Sequence, residues 1–231
     1  MNIPINLVLG AIVSATTWAA VAAVAEPIEL FDGRSLRGWE GNRERWTVDD
    51  GAITGTIGPE ERLDKNEFLY WIGEVADFEL ALEYRIAGGP TANSGIQFRS
   101  QRLADGHAAG LQADLDDGTT WLGRIYDEHG RGLVMERGTR VSIAPDGRRW
   151  VDPVAPAESF RSLPRPDGWN EYRVRARGPH VEIWINGEFC GSLDDHETGA
   201  AEHAGRLAFQ LHSGPGPVKV QFRNVRLWSI G

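Results

Sequence analysis

Residues 78–86 read Phe-Glu-Leu-Ala-Leu-Glu-Tyr-Arg-Ile. Every even position is apolar, and every odd position but Ala81 is charged. Period two is the signature of a strand buried on one face; a helix would repeat its apolar positions every three or four residues. Downstream, Val181–Ile185 and Phe189–Leu193 flank Asn186-Gly187, the pair that best tolerates the positive φ angles of a type I′ hairpin. Asp49-Asp50-Gly51 sits the same way between Arg45–Val48 and Ala52–Ile57. Strand patterning recurs in Gly95–Arg99, Gly110–Leu115, Thr120–Tyr126, Leu133–Arg137, Asn170–Arg177, Arg206–His212 and Val218–Trp228. Short turns join these runs, and no βαβ alternation appears, so the chain is predicted to be all-β, a two-sheet antiparallel jelly-roll sandwich. Helix is expected only as short pieces within Pro59–Lys65 and Ala200–His203. Pro145–Pro166, rich in proline, is expected to be a long irregular surface loop.

Composition narrows the function. The 231 residues are 41% hydrophobic and 25% charged, a globular balance. A net charge of −9 disfavours nucleic acid and anionic membrane surfaces, which need clustered Lys and Arg. Cys190 is the single cysteine, which excludes a disulfide scaffold and a cysteine-ligated metal; it is expected in the core. No cofactor is expected. Calcium at Asp114, Asp116 and Asp117 is the one metal alternative, and that run lacks the spacing of a defined loop. Residues 1–25 carry no charged side chain and end Ala23-Val24-Ala25 before Glu26-Pro27. This predicts a secretory signal peptide cleaved after Ala25, a single domain over 26–231, and a periplasmic or extracellular location. An uncleaved membrane anchor is the alternative. No later segment approaches the ~20 apolar residues that span a bilayer. Nothing in the sequence indicates an oligomeric state.

Alternation also sorts side chains onto faces. Ile96 and Phe98 point inward, so Gln97 and Arg99 point outward. Leu111, Ala113 and Leu115 leave Gln112 and Asp114 outside. Ile125 leaves Arg124, Tyr126 and Glu128 outside; Leu207, Phe209 and Leu211 leave Gln210 and His212. A solvated sheet face is also polar. This set, however, favours directional hydrogen bonding, and with Trp121 and Trp71 nearby it suits a sugar, whose hydroxyls take forked polar partners and whose C–H faces take aromatic rings.

At these residues the sequence resembles the 3-keto-disaccharide hydrolase domain family, which is abundant in exported proteins of polysaccharide-degrading bacteria. The matching stretches include Leu30-Phe31-Asp32-Gly33, Trp46–Gly55, Lys65-Asn66-x-Phe68-Leu69-x-Trp71, Asn93–Arg99 and Gly110–Asp114. Further matches are Ile125–Glu128 with Gly130-Arg131-Gly132, Trp169–Tyr172, Gln210–Pro215 and Phe222–Leu227. Their order and spacing over residues 28–229 carry the resemblance more than any one piece. Glu67 stands where the family more usually has threonine. The resemblance implies a concanavalin A-like jelly roll of the lectin and glucanase type, and an oligosaccharide or glycoside substrate whose glucosyl ring bears a ketone at C3.

That ketone makes the C2 hydrogen acidic. A base that removes it allows elimination at C1, and water added to the enone completes hydrolysis. Asp114 is then expected as the general base and His212 as the acid or proton shuttle. Glu128 is the second catalytic carboxylate, with Asp127 as its rival if the strand bulges. Arg99, Arg124 and Lys65 are expected to hold the C3 oxygen or neighbouring hydroxyls; Gln97, Gln112, Tyr126 and Gln210 are expected to grip hydroxyls. The other histidines, His107, His129, His180, His196 and His203, have no partner pattern. A non-catalytic carbohydrate-binding module on the same fold is the alternative function, and an ordinary glucanase a minor third.

Overall fold

A computed structural model describes residues 26–230 apart from 90, 119, 161 and 167, and the proposed signal segment 1–25 lies outside the described residues. The chain is all-β, a jelly-roll sandwich of two large sheets, with no α-helix among the described residues. The ten-stranded sheet runs Arg149–Pro153, Thr139–Ile143, Glu188–Asp195, His180–Ile185, Asn170–Arg177, Phe78–Ala87, Val218–Ser229, Ala52–Ile57, Trp46–Asp49, with Ile28–Glu29 also on the Val218–Ser229 strand. The seven-stranded sheet runs Gly132–Met135, Ile125–Glu128, Ala108–Asp116, Asn93–Arg102, Gly205–Leu211, Glu67–Val75, Trp39–Glu40. Within the large sheets the pairings are antiparallel except that of Thr139–Ile143 with Glu188–Asp195.

The Phe78–Ala87 strand lies mid-sheet, as its alternation requires. Phe78, Leu80, Leu82, Tyr84 and Ile86 are buried, while Glu79 and Glu83 reach the far face to meet Arg173 and Arg223. Across the core, the seven-stranded sheet contributes Ile96, Phe98, Leu111, Ala113, Leu115, Leu207, Phe209 and Leu211. Phe209 stacks on Phe222 of the other sheet at 3.9 Å between ring centroids and on Trp39 at 4.9 Å, so one ring clamps the sheets together. Cys190 is free and buried in this core. The two predicted turns take the left-handed backbone they need, with φ of 51° at Asn186, 83° at Gly187, 52° at Asp50 and 69° at Gly51.

Four expectations are corrected. Pro59–Lys65 forms a turn and the short strand Arg62–Leu63, and Ala200–His203 is non-helical; among the described residues the one helical turn is the 3₁₀ piece Ala157–Phe160. The expected loop 145–166 contains the edge strand Arg149–Pro153, exposed at every residue, so neither face imposed an apolar period. The expected strand Thr120–Tyr126 begins only at Ile125, because residues 120–124 form a bend and turn. Glu67–Val75 is a strand that alternation missed: Phe68, Leu69 and Tyr70 are buried consecutively, because both faces of the strand are covered there.

Phe209→Ala removes a ring packed against both sheets and is expected to lower the unfolding free energy by about 3–5 kcal/mol, read from denaturant midpoints. A loss below about 1 kcal/mol would show that the sheets do not depend on this stack.

Candidate functional site

The outward face of the seven-stranded sheet carries a cavity of about 520 Å³. On the Ala108–Asp116 strand, Gln112, Asp114 and Asp116 follow one another at period two and all line it. Tyr126 lies opposite Gln112 in register, Glu128 lies two residues further along, and His212 follows the Gly205–Leu211 strand. Asn66, Asn93, Thr120 and Trp121 complete much of the rim. Gly95 serves a close approach: a Cβ there would sit 2.3 Å from the Gln112 amide carbon, so glycine leaves the space that this side chain occupies.

A directional chain of hydrogen bonds converges on Asp114. Ser100 Oγ donates to Gln97 Oε1 at 2.6 Å, Gln97 Nε2 to Gln112 Oε1 at 2.9 Å, and Gln112 Nε2 to Asp114 Oδ1 at 2.7 Å. The Asp114 backbone is pinned as well. Its N–H donates to the Arg124 carbonyl, and its carbonyl accepts from Gly123 and from the Tyr172 hydroxyl of the opposite sheet. Burial pushes the Asp114 carboxyl up to about 8; the Gln112 donation opposes the rise, and the charge of Glu128 adds to it. At neutral pH Asp114 is therefore mainly a neutral carboxylic acid, able to donate a proton or a hydrogen bond.

The other two groups are held differently. Gln210 Nε2 donates to Glu128 Oε1 at 3.0 Å. His212 Nδ1 lies 2.7 Å from the Ser213 carbonyl, which fixes the proton on Nδ1 and leaves Nε2 as the acceptor in the neutral ring. The Ser213 N–H donates to Asn66 Oδ1 at 2.8 Å, so the loop before the Glu67–Val75 strand positions the imidazole. Asp116 Oδ2 accepts the backbone N–H groups of Thr120 and Trp121 at 3.0 and 2.8 Å, which folds the turn that presents Trp121. Trp121 meets Tyr126 edge-on and is partly exposed. The cavity thus pairs a proton donor with an imidazole acceptor beside an aromatic wall.

The structure brings Gln112, Asp114, Tyr126, Glu128 and His212 together. Gln97 and Gln210 share the face but are fully buried, so they brace Gln112 and Glu128 instead of lining the cavity. All three expected cations are elsewhere. Arg99 is fully buried, donates to the Ala76 and Gly178 carbonyls and pairs with Asp77; its φ of 51° and a register shift between Gln97 and Gln101 turn it off the face. Arg124 precedes the strand, stacks over Trp121 and pairs with Glu136 at 2.7 Å. Lys65 Nζ donates to the Asp105 carbonyl. Among the described residues no Lys or Arg lines the cavity.

Further placements differ from expectation. Asp127 faces away from Glu128 and pairs with Arg131 at 2.7 Å, so the strand does not bulge to exchange them. Trp71 packs against the core. Asp117 turns to the Gly88 and Gly89 amides, so Asp114, Asp116 and Asp117 do not converge on one point. No group of three metal-ligating side chains occurs among the described residues. His107 and His129 do have a partner pattern: their rings hydrogen-bond each other at 3.1 Å, while His180 and His196 approach Asp194. Sequence reasoning missed Asp116 and Asn93 as cavity residues. The alternation that placed Gln112 and Asp114 also reaches Asp116.

The 3-keto-alpha-glucoside-1,2-lyase-like domain model matches residues 26–228. Among solved structures, a candidate glycosyl hydrolase from Parabacteroides distasonis is similar at a TM-score of 0.58 and 20% identity, covering 89% of this chain and 94% of that one. The carbohydrate-binding module CBM66 from Bacillus subtilis is similar at 0.53 and 16%, covering 81% and 93%. The Bacillus licheniformis beta-glucanase is similar at 0.53 and 9%, covering 90% and 99%. These structural likenesses carry the fold. No curated protein matches the chain closely enough to count as a relative.

A carboxyl that binds its proton more tightly when folded makes stability fall as pH rises, here from the unfolded value of about 4 to the folded value of about 8. Asp114→Asn removes that penalty. Its melting temperature is expected to vary less than the wild type's between pH 4 and pH 8, and to exceed it at the alkaline end. Parallel melting curves for the two proteins would mean that Asp114 is not protonated in the fold.

Proposed function

The chain belongs to the 3-keto-alpha-glucoside-1,2-lyase-like domain family, a carbohydrate-active assignment, and from that premise we propose that it cleaves glycosides whose sugar ring bears a ketone at C3. The observation that carries this reading is Asp114: a buried carboxyl, protonated at neutral pH, that shares one cavity with an imidazole whose Nε2 is the acceptor of the neutral ring. Enolate chemistry needs that pair, a base for the carbon acid and a neutral donor for the oxyanion.

His212 Nε2 takes the C2 proton, and the C–H electrons form C2=C3 as charge moves to the C3 oxygen. Asp114 donates its hydrogen bond there, the task first assigned by sequence to arginines that lie outside the cavity. The C3 carbonyl then re-forms, C1=C2 forms, and the C1–O bond breaks, with the imidazolium returning the proton to the leaving oxygen. Water adds at C1 and a proton returns to C2, so the net reaction is hydrolysis. Asp114 is therefore the oxyanion donor, and the base role passes to His212. Glu128, oriented by Gln210, takes ring hydroxyls with Gln112 and Tyr126, and Trp121 takes the C–H face of the sugar. Carboxylates without a lining Lys or Arg favour an uncharged glycone over a uronic acid or a sugar phosphate. The uncharged segment 1–25 supports an exported setting.

The test is turnover of a 3-keto-glucoside in D₂O followed by NMR, with deuterium entering at C2 and the unoxidised glycoside left intact. Affinity without turnover would support a binding module, and turnover of plain glucan would support a conventional glucanase. His212→Ala is expected to lower kcat at least about 10²-fold. Asp114→Asn keeps an N–H donor and is expected to retain clearly more activity than Asp114→Ala. Wild-type activity should decline above about pH 8, where Asp114 ionises. Equal loss in both Asp114 variants, with activity that climbs above that pH, would make Asp114 the base.

A further inference from the structure

Behind the main cavity lies a second, smaller one of about 80 Å³ beneath the Pro164–Pro166 segment. Among the described residues, Asp116 alone lines both. Its carboxylate is almost fully buried. Oδ2 is committed to the turn that carries Trp121, and Oδ1 has no hydrogen-bond partner among the described residues. The small cavity holds a second such atom, the hydroxyl of Tyr84, which is 1% exposed and equally unpartnered. Two unsatisfied polar atoms in a space this size suit ordered water, which occupies about 30 Å³ per molecule and needs two to four polar partners.

Resting on the reaction above, we propose that Asp116 is the acid–base residue of the hydration half of that reaction, fed with water from the Tyr84 cavity. His212 then serves the elimination half. Asp116 takes a proton from water as the water oxygen bonds to C1 and the C1=C2 pair shifts through C2=C3 onto the C3 oxygen, where Asp114 donates. Asp116 returns that proton to C2, and the C3 carbonyl re-forms. One water is consumed, no charge is left over, and the glycone is released as the free keto-sugar. Burial raises the Asp116 carboxyl above the ordinary range, which makes its carboxylate a better proton acceptor than an exposed one. The division of labour follows from placement: His212 is set by the Asn66 loop on one side of the sheet, and Asp116 by the Trp121 turn at the end of another strand.

The experiment measures two rates on the same 3-keto-glucoside: release of the aglycone, and conversion of the enone to the free 3-keto-sugar. Asp116→Asn is expected to lower the ratio of enone conversion to aglycone release at least about tenfold, so that enone accumulates. Because Asp116 also ties a turn, Tyr84→Phe is the second variant. It breaks none of the Asp116 bonds and is expected to lower the same ratio with an unchanged melting temperature. An unchanged ratio in either variant, in a protein whose wild type is active, overturns the role of Asp116 and its water cavity alone. A wild type inert toward both keto-glycoside and enone overturns the reaction as well.

Discussion

A carboxylate shut away from water is unstable unless a cation or several donors compensate it. At Asp114 the compensation is incomplete. One side-chain amide reaches it, Glu128 adds a like charge, and Arg124, whose charge does bear on it, is committed to Glu136. The group resolves the conflict by keeping its proton. The surrounding hydrogen bonds make sense in that light, because Ser100, Gln97 and Gln112 form a relay that delivers one N–H to one oxygen of Asp114. The site accepts a loss of stability at neutral pH in exchange for an acid that survives there, the usual tension between stability and function.

The same constraint separates the two polar faces of the sandwich. On the ten-stranded sheet, Arg173 stacks on Trp184 at 4.1 Å and Arg223 on Trp169 at 4.0 Å, with Glu79 and Glu83 interleaved. Charges there are half-buried and paired across the strands, with water still close by, so each pair contributes little. On the seven-stranded sheet, the positions around the cavity carry amides, carboxylates, a tyrosine and an imidazole. Both faces alternate with the core, so periodicity cannot tell them apart. Composition can: one face pairs its ions, and the other leaves carboxyls without countercharge.

Legibility followed register. Phe78–Ile86 and Asn186-Gly187 announced their structures because burial on one face and a positive-φ turn each leave a local mark. Gln112, Tyr126 and Glu128 fell where alternation put them because Ala108–Asp116 and Ile125–Glu128 keep unbroken register with each other; Asp114 continues the same period, and His212 directly follows the Gly205–Leu211 strand. Arg99 did not, since the backbone turns left-handed at that residue and the face inverts. Arg124 did not, since the residues before it are bent by Asp116, a contact five positions long that no period reveals. Glu67–Val75 hid for the opposite reason: apolar cover on both faces erased its alternation.

Asp127 and Glu128 show how far one strand can divide such labour. Glu128 faces the cavity and accepts from the Gln210 amide. Asp127, one residue earlier, faces the other way and joins Asp195, Glu197 and Glu202 around Arg131, at 2.7, 2.8, 3.1 and 3.6 Å respectively. That cluster links the hairpin after Ile125–Glu128 to the end of a strand in the opposite sheet. Even there four carboxylates exceed one guanidinium, and Glu202 is pushed up to about 7, chiefly by burial and then by Asp127. A single guanidinium therefore fixes the hairpin from which Glu128 projects, while no Lys or Arg among the described residues lines the cavity itself. An arginine brought inside would stabilise Asp114 as a carboxylate and remove the proton donor on which the proposed chemistry rests.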